Sequence, residues 1–120
     1  ESGNPDAECR LAAYYENGVN GAPDPQKAAG LYRSAAANGS TEASYRLALM
    51  YRDGRGMPVD CMKAYVWSAL SIAAGNQSPD VQSLCDLMSR KLTLDELNEA
   101  QREASVVFED WNRGRFGTNS

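Results

Sequence analysis

Two stretches of the chain spell one pattern thirty-six residues apart. The first holds Gly3, Ala7, Arg10, Leu11, Ala12, Tyr15, Gly18, Asp24, Lys27, Ala28, Ala37 and Gly39. The second holds Gly39, Ala43, Arg46, Leu47, Ala48, Tyr51, Gly54, Asp60, Lys63, Ala64, Ala73 and Gly75. A period of this size marks an array of supersecondary units, none of which can bury its apolar face alone. Stacked units share one core and expose an extended surface, so the pattern points to binding before chemistry.

Within each copy the stripe Ala7, Leu11, Ala12, Tyr15, or Ala43, Leu47, Ala48, Tyr51, has helical spacing and predicts one apolar helix face. Turn-forming segments follow, Asn17–Pro25 and Asp53–Asp60, with glycines suited to a helix end and prolines that cannot continue one. Asp24 and Asp60 are placed to cap the next helices, Gln26–Asn38 and Met62–Ala74. Each unit is therefore expected to be helix A, tight loop, helix B. Ala12 and Ala48 allow close helix contact, while Tyr15 and Tyr51 fill the loop end of each pair.

Beyond Gly75 the pattern loosens. Pro79 suits the first turn of a helix to about Lys91, with Val81, Leu84, Leu87 and Met88 on its packed side. Thr93 and Glu96 form a capping box, with Leu92 and Leu97 as its hydrophobic staple. The final helix is expected to carry Leu94, Leu97, Ala104, Val107, Phe108 and Trp111 as its apolar set. Residues 113–120 are expected to form a loose tail. The chain thus reads as all-α, six helices in one domain over 1–120: repeats at 3–39 and 40–75, then a C-terminal capping helix pair at 76–112.

The run Ala43-x3-Leu47-Ala48-x2-Tyr51-x2-Gly54-x-Gly56-x3-Asp60-x2-Lys63-Ala64-x2-Trp67 resembles the Sel-one-like repeat (SLR), a branch of the tetratricopeptide-like superfamily. The first copy departs at Ala22-Pro23-Asp24 and Leu31-Tyr32, and both copies have Ala where the family often has Gly after the stripe's Leu. Residues 91–111 are similar to the end cap of many bacterial members. The resemblance implies a right-handed α/α solenoid with its A helices on the concave face. It also implies a protein-binding adaptor or scaffold, not an enzyme, in a bacterial cell envelope or periplasm.

Composition narrows the chemistry. The chain has no histidine, which removes the usual general base at neutral pH and any Ser-His-Asp or Cys-His arrangement. The carboxylate pairs Asp95-Glu96 and Glu109-Asp110 read as solvated helix surface. No catalytic residue, metal or cofactor is expected. A net charge of −4 and scattered Lys and Arg exclude a nucleic-acid surface. No apolar run reaches the roughly 18 residues of a membrane span. Cys9, Cys61 and Cys85 lack metal-type spacing. A Cys61–Cys85 bridge and three half-buried thiols remain alternatives. Because the sequence opens on Glu1 rather than Met, a processed or trimmed product is expected.

If the A helices line the binding face, the candidate partner-binding residues are Arg10, Tyr14 and Asn17 in the first unit and Arg46, Met50 and Asp53 in the second. Ala13 and Leu49 belong to the same side. Arginine and tyrosine are frequent interface anchors. Arg10 and Arg46 hold one repeat position, where they can clamp carboxylates or peptide carbonyls, or pair internally with Glu8 or Glu42. On helix B, Trp67 is expected in the core and Tyr65 nearer the surface. The expected partner is another protein or peptide, with a monomeric chain; the alternative role is an inhibitor or immunity protein that binds a toxin or enzyme one to one.

Overall fold

The computed structural model describes residues 4–18 and 21–115, with side chains as far as Arg113. Among these residues the chain is helical throughout, in six elements: α1 (Pro5–Asn17), α2 (Pro25–Ala37), α3 (Thr41–Asp53), α4 (Cys61–Ala73), α5 (Pro79–Arg90) and α6 (Leu94–Arg115). Gly3 and residues 116–120 of the expected tail lie outside them. The tail's first residues continue α6, so the helix runs past the expected boundary at 112.

The two repeats are built by the same local chemistry. Asn4 and Ser40 cap α1 and α3 by accepting the Ala7 and Ala43 amides at 3.1 and 3.0 Å. Asp24 and Asp60 cap α2 and α4 through Lys27 N–H and Lys63 N–H at 3.1 and 3.0 Å. Each accepts an amide that the helix itself cannot satisfy. Gly18 and Gly54 end the A helices at φ +70° and +73°, a region where a side chain is strained. Each loop then returns to its own helix, Asp24 N–H to Tyr15 C=O at 2.8 Å and Asp60 N–H to Tyr51 C=O at 3.0 Å.

α1 pairs with α2 and α3 with α4, and the repeats join where α2 packs on α3. One buried cluster holds Ala12, Ala28, Ala29, Tyr32, Ala35 and Ala36 of the first repeat together with Ala43, Leu47 and Met50 of the second. Ala48 turns the other way, into a cluster with Ala64, Leu70, Leu84, Met88 and Ala100. Small side chains along α2 let α3 approach closely. α5 and α6 close the stack by both seating on α4, and α6 reaches back until Trp111 meets Trp67, ring centroids 5.8 Å apart. Thr93 and Glu96 form the expected capping box, with bonds of 2.9 and 3.1 Å.

Packing corrects four expectations of burial. Leu11 belongs to the sequence stripe, yet it is 45% exposed while its counterpart Leu47 is fully buried. The alanines of α2 cover Leu47, and no described helix takes the matching place over Leu11. Leu87 and Leu94 are also exposed: α4 takes the Val81–Leu84–Met88 face of α5, and Leu94 stands at the start of α6 before that helix reaches α4. Tyr65, expected nearer the surface, is the more deeply buried of the helix B aromatics, while Trp67 packs against both core clusters. Tyr65 is buried under α6, its hydroxyl accepting from Gln101 Nε2 at 3.3 Å, and Trp67 is half-buried against Trp111. Met50 is fully buried, three residues after Leu47 on the same face, so it offers a partner no surface.

Candidate protein-binding groove

Equivalent positions of α1 and α3 meet across an open groove of about 270 Å³. Asp6 and Arg10 come from α1, Glu42 and Arg46 from α3, and Tyr32 of α2 reaches the groove from below with Cys9 beside it. The acids and the arginines each recur at the thirty-six-residue offset, and each acid precedes its arginine by four, one helical turn. The groove wall is thus a repeated acid–arginine rung.

The two rungs are in different states. Arg46 Nε lies 2.6 Å from Glu42 Oε2, with both side chains about half exposed. Burial is the largest single influence on the Arg46 guanidinium and pulls it down, but the hydrogen bond and charge of Glu42, joined by Tyr32 and Glu16, together hold the group above its ordinary value. This is the internal pairing that the sequence left open. Arg10 has no ion pair among the described residues, although Asp6 is one turn away. Its five N–H donors remain for an incoming acceptor, and a guanidinium can hold a carboxylate or carbonyl pair in a fixed fork. Burial pushes the Cys9 thiol up, against a hydrogen bond with Ser40 that pulls it down, and its side chain lines the groove.

Glu16 fixes the groove from behind. Its carboxylate accepts the Tyr32 hydroxyl at 2.8 Å and the Arg55 guanidinium at 2.7 Å, and its own side chain is 12% exposed. One buried group thereby ties α1, α2 and the α3–α4 loop together. Burial and that acidic partner push the Tyr32 phenol well above its ordinary range. In the same loop Gly56 lies so close to Pro25 that an added Cβ would sit 2.9 Å from its carbonyl carbon.

Of the six candidates read from the sequence, the structure brings Arg10 and Arg46 together in this groove. Tyr14 is exposed outside it, its ring edge-on to Tyr15 at 5.9 Å. Asn17 and Asp53 sit exposed at the C-terminal ends of α1 and α3, and Asp53 is held by Arg52 at 2.8 Å. Met50 is in the core. Sequence reasoning missed Asp6 and Tyr32 as lining. The offset between Asp6 and Glu42 was available as a signal; no local pattern brings Tyr32 to α1.

Cys9, Cys61 and Cys85 are free thiols, each half-buried. Among the described residues no helix is long and apolar enough to cross a membrane.

The model of the Sel1 repeat matches residues 5–40 and 41–76, the two copies just described. The chain belongs to the Sel1 repeat family. The chain is 38% identical over 74 residues to an alginate biosynthesis protein AlgK of Azotobacter vinelandii, covering 62% of this chain and 16% of the relative. A second AlgK, from Pseudomonas syringae pv. tomato, is 32% identical over 91 residues, covering 76% of this chain and 19% of the relative. The chain therefore spans less than a fifth of the length of these curated relatives. A solved structure, c5321, described as a protective antigen of uropathogenic Escherichia coli strains with an SLR fold, superposes with a TM-score of 0.77. It is 21% identical and matches 98% of this chain and 24% of its own, which establishes the shared fold. Sel1 repeats are in general protein-interaction modules, and the named AlgK relatives are bacterial.

Proposed function

We propose that this Sel1-repeat chain is a non-catalytic adaptor or scaffold that holds an extended segment of a partner protein against its A helices. The observation that carries the reading is the rung pair. Two repeats deliver Arg10 and Arg46 to one groove, and one of these arginines is left with open donors. Arg10 is the anchor for a carboxylate or backbone carbonyl of the partner, and the Glu42–Arg46 pair sets the far wall. The setting is a bacterial cell envelope or periplasm, within a multiprotein assembly. The alginate-biosynthesis role named for two relatives supports such a scaffold.

The test is affinity capture from the producing bacterium with the native chain and with Arg10→Ala and Arg10→Ala/Arg46→Ala variants, the co-purifying proteins being quantified. Several assembly components, depleted at least about tenfold by the double variant, are expected; each factor of ten corresponds to about 1.4 kcal/mol of lost binding. One dominant toxin or hydrolase at one-to-one ratio would replace the scaffold reading with the inhibitor reading. Capture unaffected by either variant would move the binding site off the groove.

A further inference from the structure

The groove is bipolar along its helices. Asp6 and Glu42 stand in the first turns of α1 and α3, and Arg10 and Arg46 follow one turn further on. In the second repeat the two charges neutralise each other, Arg46 Nε lying 2.6 Å from Glu42 Oε2. In the first they do not. Asp6 is one methylene shorter than Glu42, and at the same i, i+4 spacing its carboxylate does not close on the arginine. Neither Asp6 nor Arg10 enters an ion pair or a side-chain hydrogen bond among the described residues, and both are exposed. Four residues of helix set these two open groups about 6 Å apart along the axis. An extended chain presents a side chain to one face every second residue, at a spacing of about 6.6 Å. A segment lying extended along α1 therefore brings its i and i+2 side chains to Asp6 and Arg10 together, with the residue between them turned outward. A helical segment, about 10 Å across, needs roughly 400 Å³ for each turn. The groove offers about 270 Å³, which favours the extended form.

We propose that the groove selects an extended partner segment with a Lys or Arg and an Asp or Glu two residues apart, the cation on Asp6 and the carboxylate on Arg10. The inference rests on the groove reading above and adds the partner's chemistry to it. The Arg10 fork takes the carboxylate through two parallel N–H donors, and the Asp6 oxygens accept from the ammonium or guanidinium. A segment with two acids at this spacing sets one of them against Asp6, and a segment with two bases sets one against Arg10. Each meets a like charge, so the groove reads the pattern of signs and not the net charge. The closed Glu42–Arg46 rung adds little net charge on the opposite wall and leaves that selection to α1. A segment can run either way along α1, so the order of the two signs is free while their spacing and opposition are fixed.

The experiment pans random short peptides, displayed on phage, on the native chain and on three variants: Asp6→Arg, Arg10→Glu and Arg10→Ala/Arg46→Ala. Circular dichroism checks each fold; Asp6 and Arg10 are exposed, so their exchange should leave the helices intact. The native chain should enrich opposite charges at i and i+2 with no preference at the residue between. Asp6→Arg should switch the selection to two acids at that spacing, and Arg10→Glu to two bases. A synthetic peptide with a central Lys-Ala-Glu, followed by fluorescence anisotropy, should lose at least about tenfold in affinity on either reversal and weaken as salt is raised. Charges enriched at another spacing, peptides without a charge pattern, or a preference that keeps its signs in the reversed variants would overturn the inference. If such peptides still lose binding to Arg10→Ala/Arg46→Ala, the groove reading stands without it. Peptides that bind this double variant as well as the native chain would overturn both. An empty selection would overturn the inference too, and leave the groove reading to capture of intact proteins.

Discussion

Replacing Glu16 by alanine is the most informative single change to this fold. The carboxylate is nearly buried and satisfies two donors: the Tyr32 hydroxyl, on a residue 1% exposed, and the Arg55 guanidinium, whose side chain is 48% exposed. The two losses have different weights. An unpaired buried hydroxyl costs about 1–3 kcal/mol. Arg55 returns to water and contributes less than about 1 kcal/mol, as exposed ion pairs do. Against these, an acid in the last turn of α1 opposes the helix dipole, so its removal gives back a few tenths of a kcal/mol, roughly. The buried hydroxyl decides the sum, and Glu16→Ala should destabilise by about 2 kcal/mol. For a chain of 120 residues that is a fall of about 10 °C in melting temperature. Glu16→Gln keeps an acceptor for Tyr32 and should cost about 1 kcal/mol or less. Adding Tyr32→Phe to Glu16→Ala removes the orphaned donor and should recover about 1 kcal/mol, a coupling measured by a double-mutant cycle in urea. A loss below about 0.5 kcal/mol for Glu16→Ala, or no recovery with Tyr32→Phe, would refute the reasoning.

Three further outcomes are expected. Leu47→Ala should cost about 2–5 kcal/mol in urea unfolding and Leu11→Ala less than about 1 kcal/mol, because the same residue at the same repeat position is buried in one case and 45% exposed in the other. Gly56→Ala should cost about 1–3 kcal/mol, since φ is +84° and the new Cβ would strike Pro25; Gly30→Ala, in open space within α2, should stabilise by about 0.5–1 kcal/mol. The Tyr32 phenol is raised in the folded chain, by burial first and by Glu16 second, so its contribution to stability is complete below the unfolded tyrosine pKa of about 10 and declines as pH rises beyond it. Ultraviolet titration of the native chain minus Tyr32→Phe should show no phenolate from this residue at about pH 11 while the fold persists; ionisation near pH 10 would contradict the burial argument.

What could be read from the sequence was what local chemistry determines. Asp24, Asp60 and the Thr93–Glu96 box act on amides within a turn of themselves, so their roles followed from spacing alone. Ala12 and Ala48 were legible for the same reason, since small residues beside Leu mark the seam with their own helix B. Leu11 was not legible, because its burial depends on a neighbour and not on its own stripe. Met50 lies in the core rather than on the binding face: the row Ala43, Leu47, Met50 has a regular i, i+4, i+7 spacing and packs on α2, while Ala48 of the neighbouring stripe packs with α4. The Arg10–Arg46 pairing in one groove was visible from the repeat, but the unequal state of the two rungs was not. Glu42 and Asp6 are both one turn from an arginine, and only the folded geometry joins one pair and leaves the other open. Tyr32 and Glu16 are sixteen residues apart, and only the α1–α2 hairpin brings them together.

The central claim is that the A-helix groove holds a partner protein, and site-specific photocrosslinking tests it most directly. A benzophenone amino acid at Ala13, in the groove lining, is compared in the cells that produce the chain with one at Ser83, exposed on α5. The account expects discrete protein adducts from position 13, absent from position 83 and lost when Arg10 and Arg46 are both changed to alanine. Adducts of equal yield from both positions, or adducts at 13 that survive the double substitution, would contradict it.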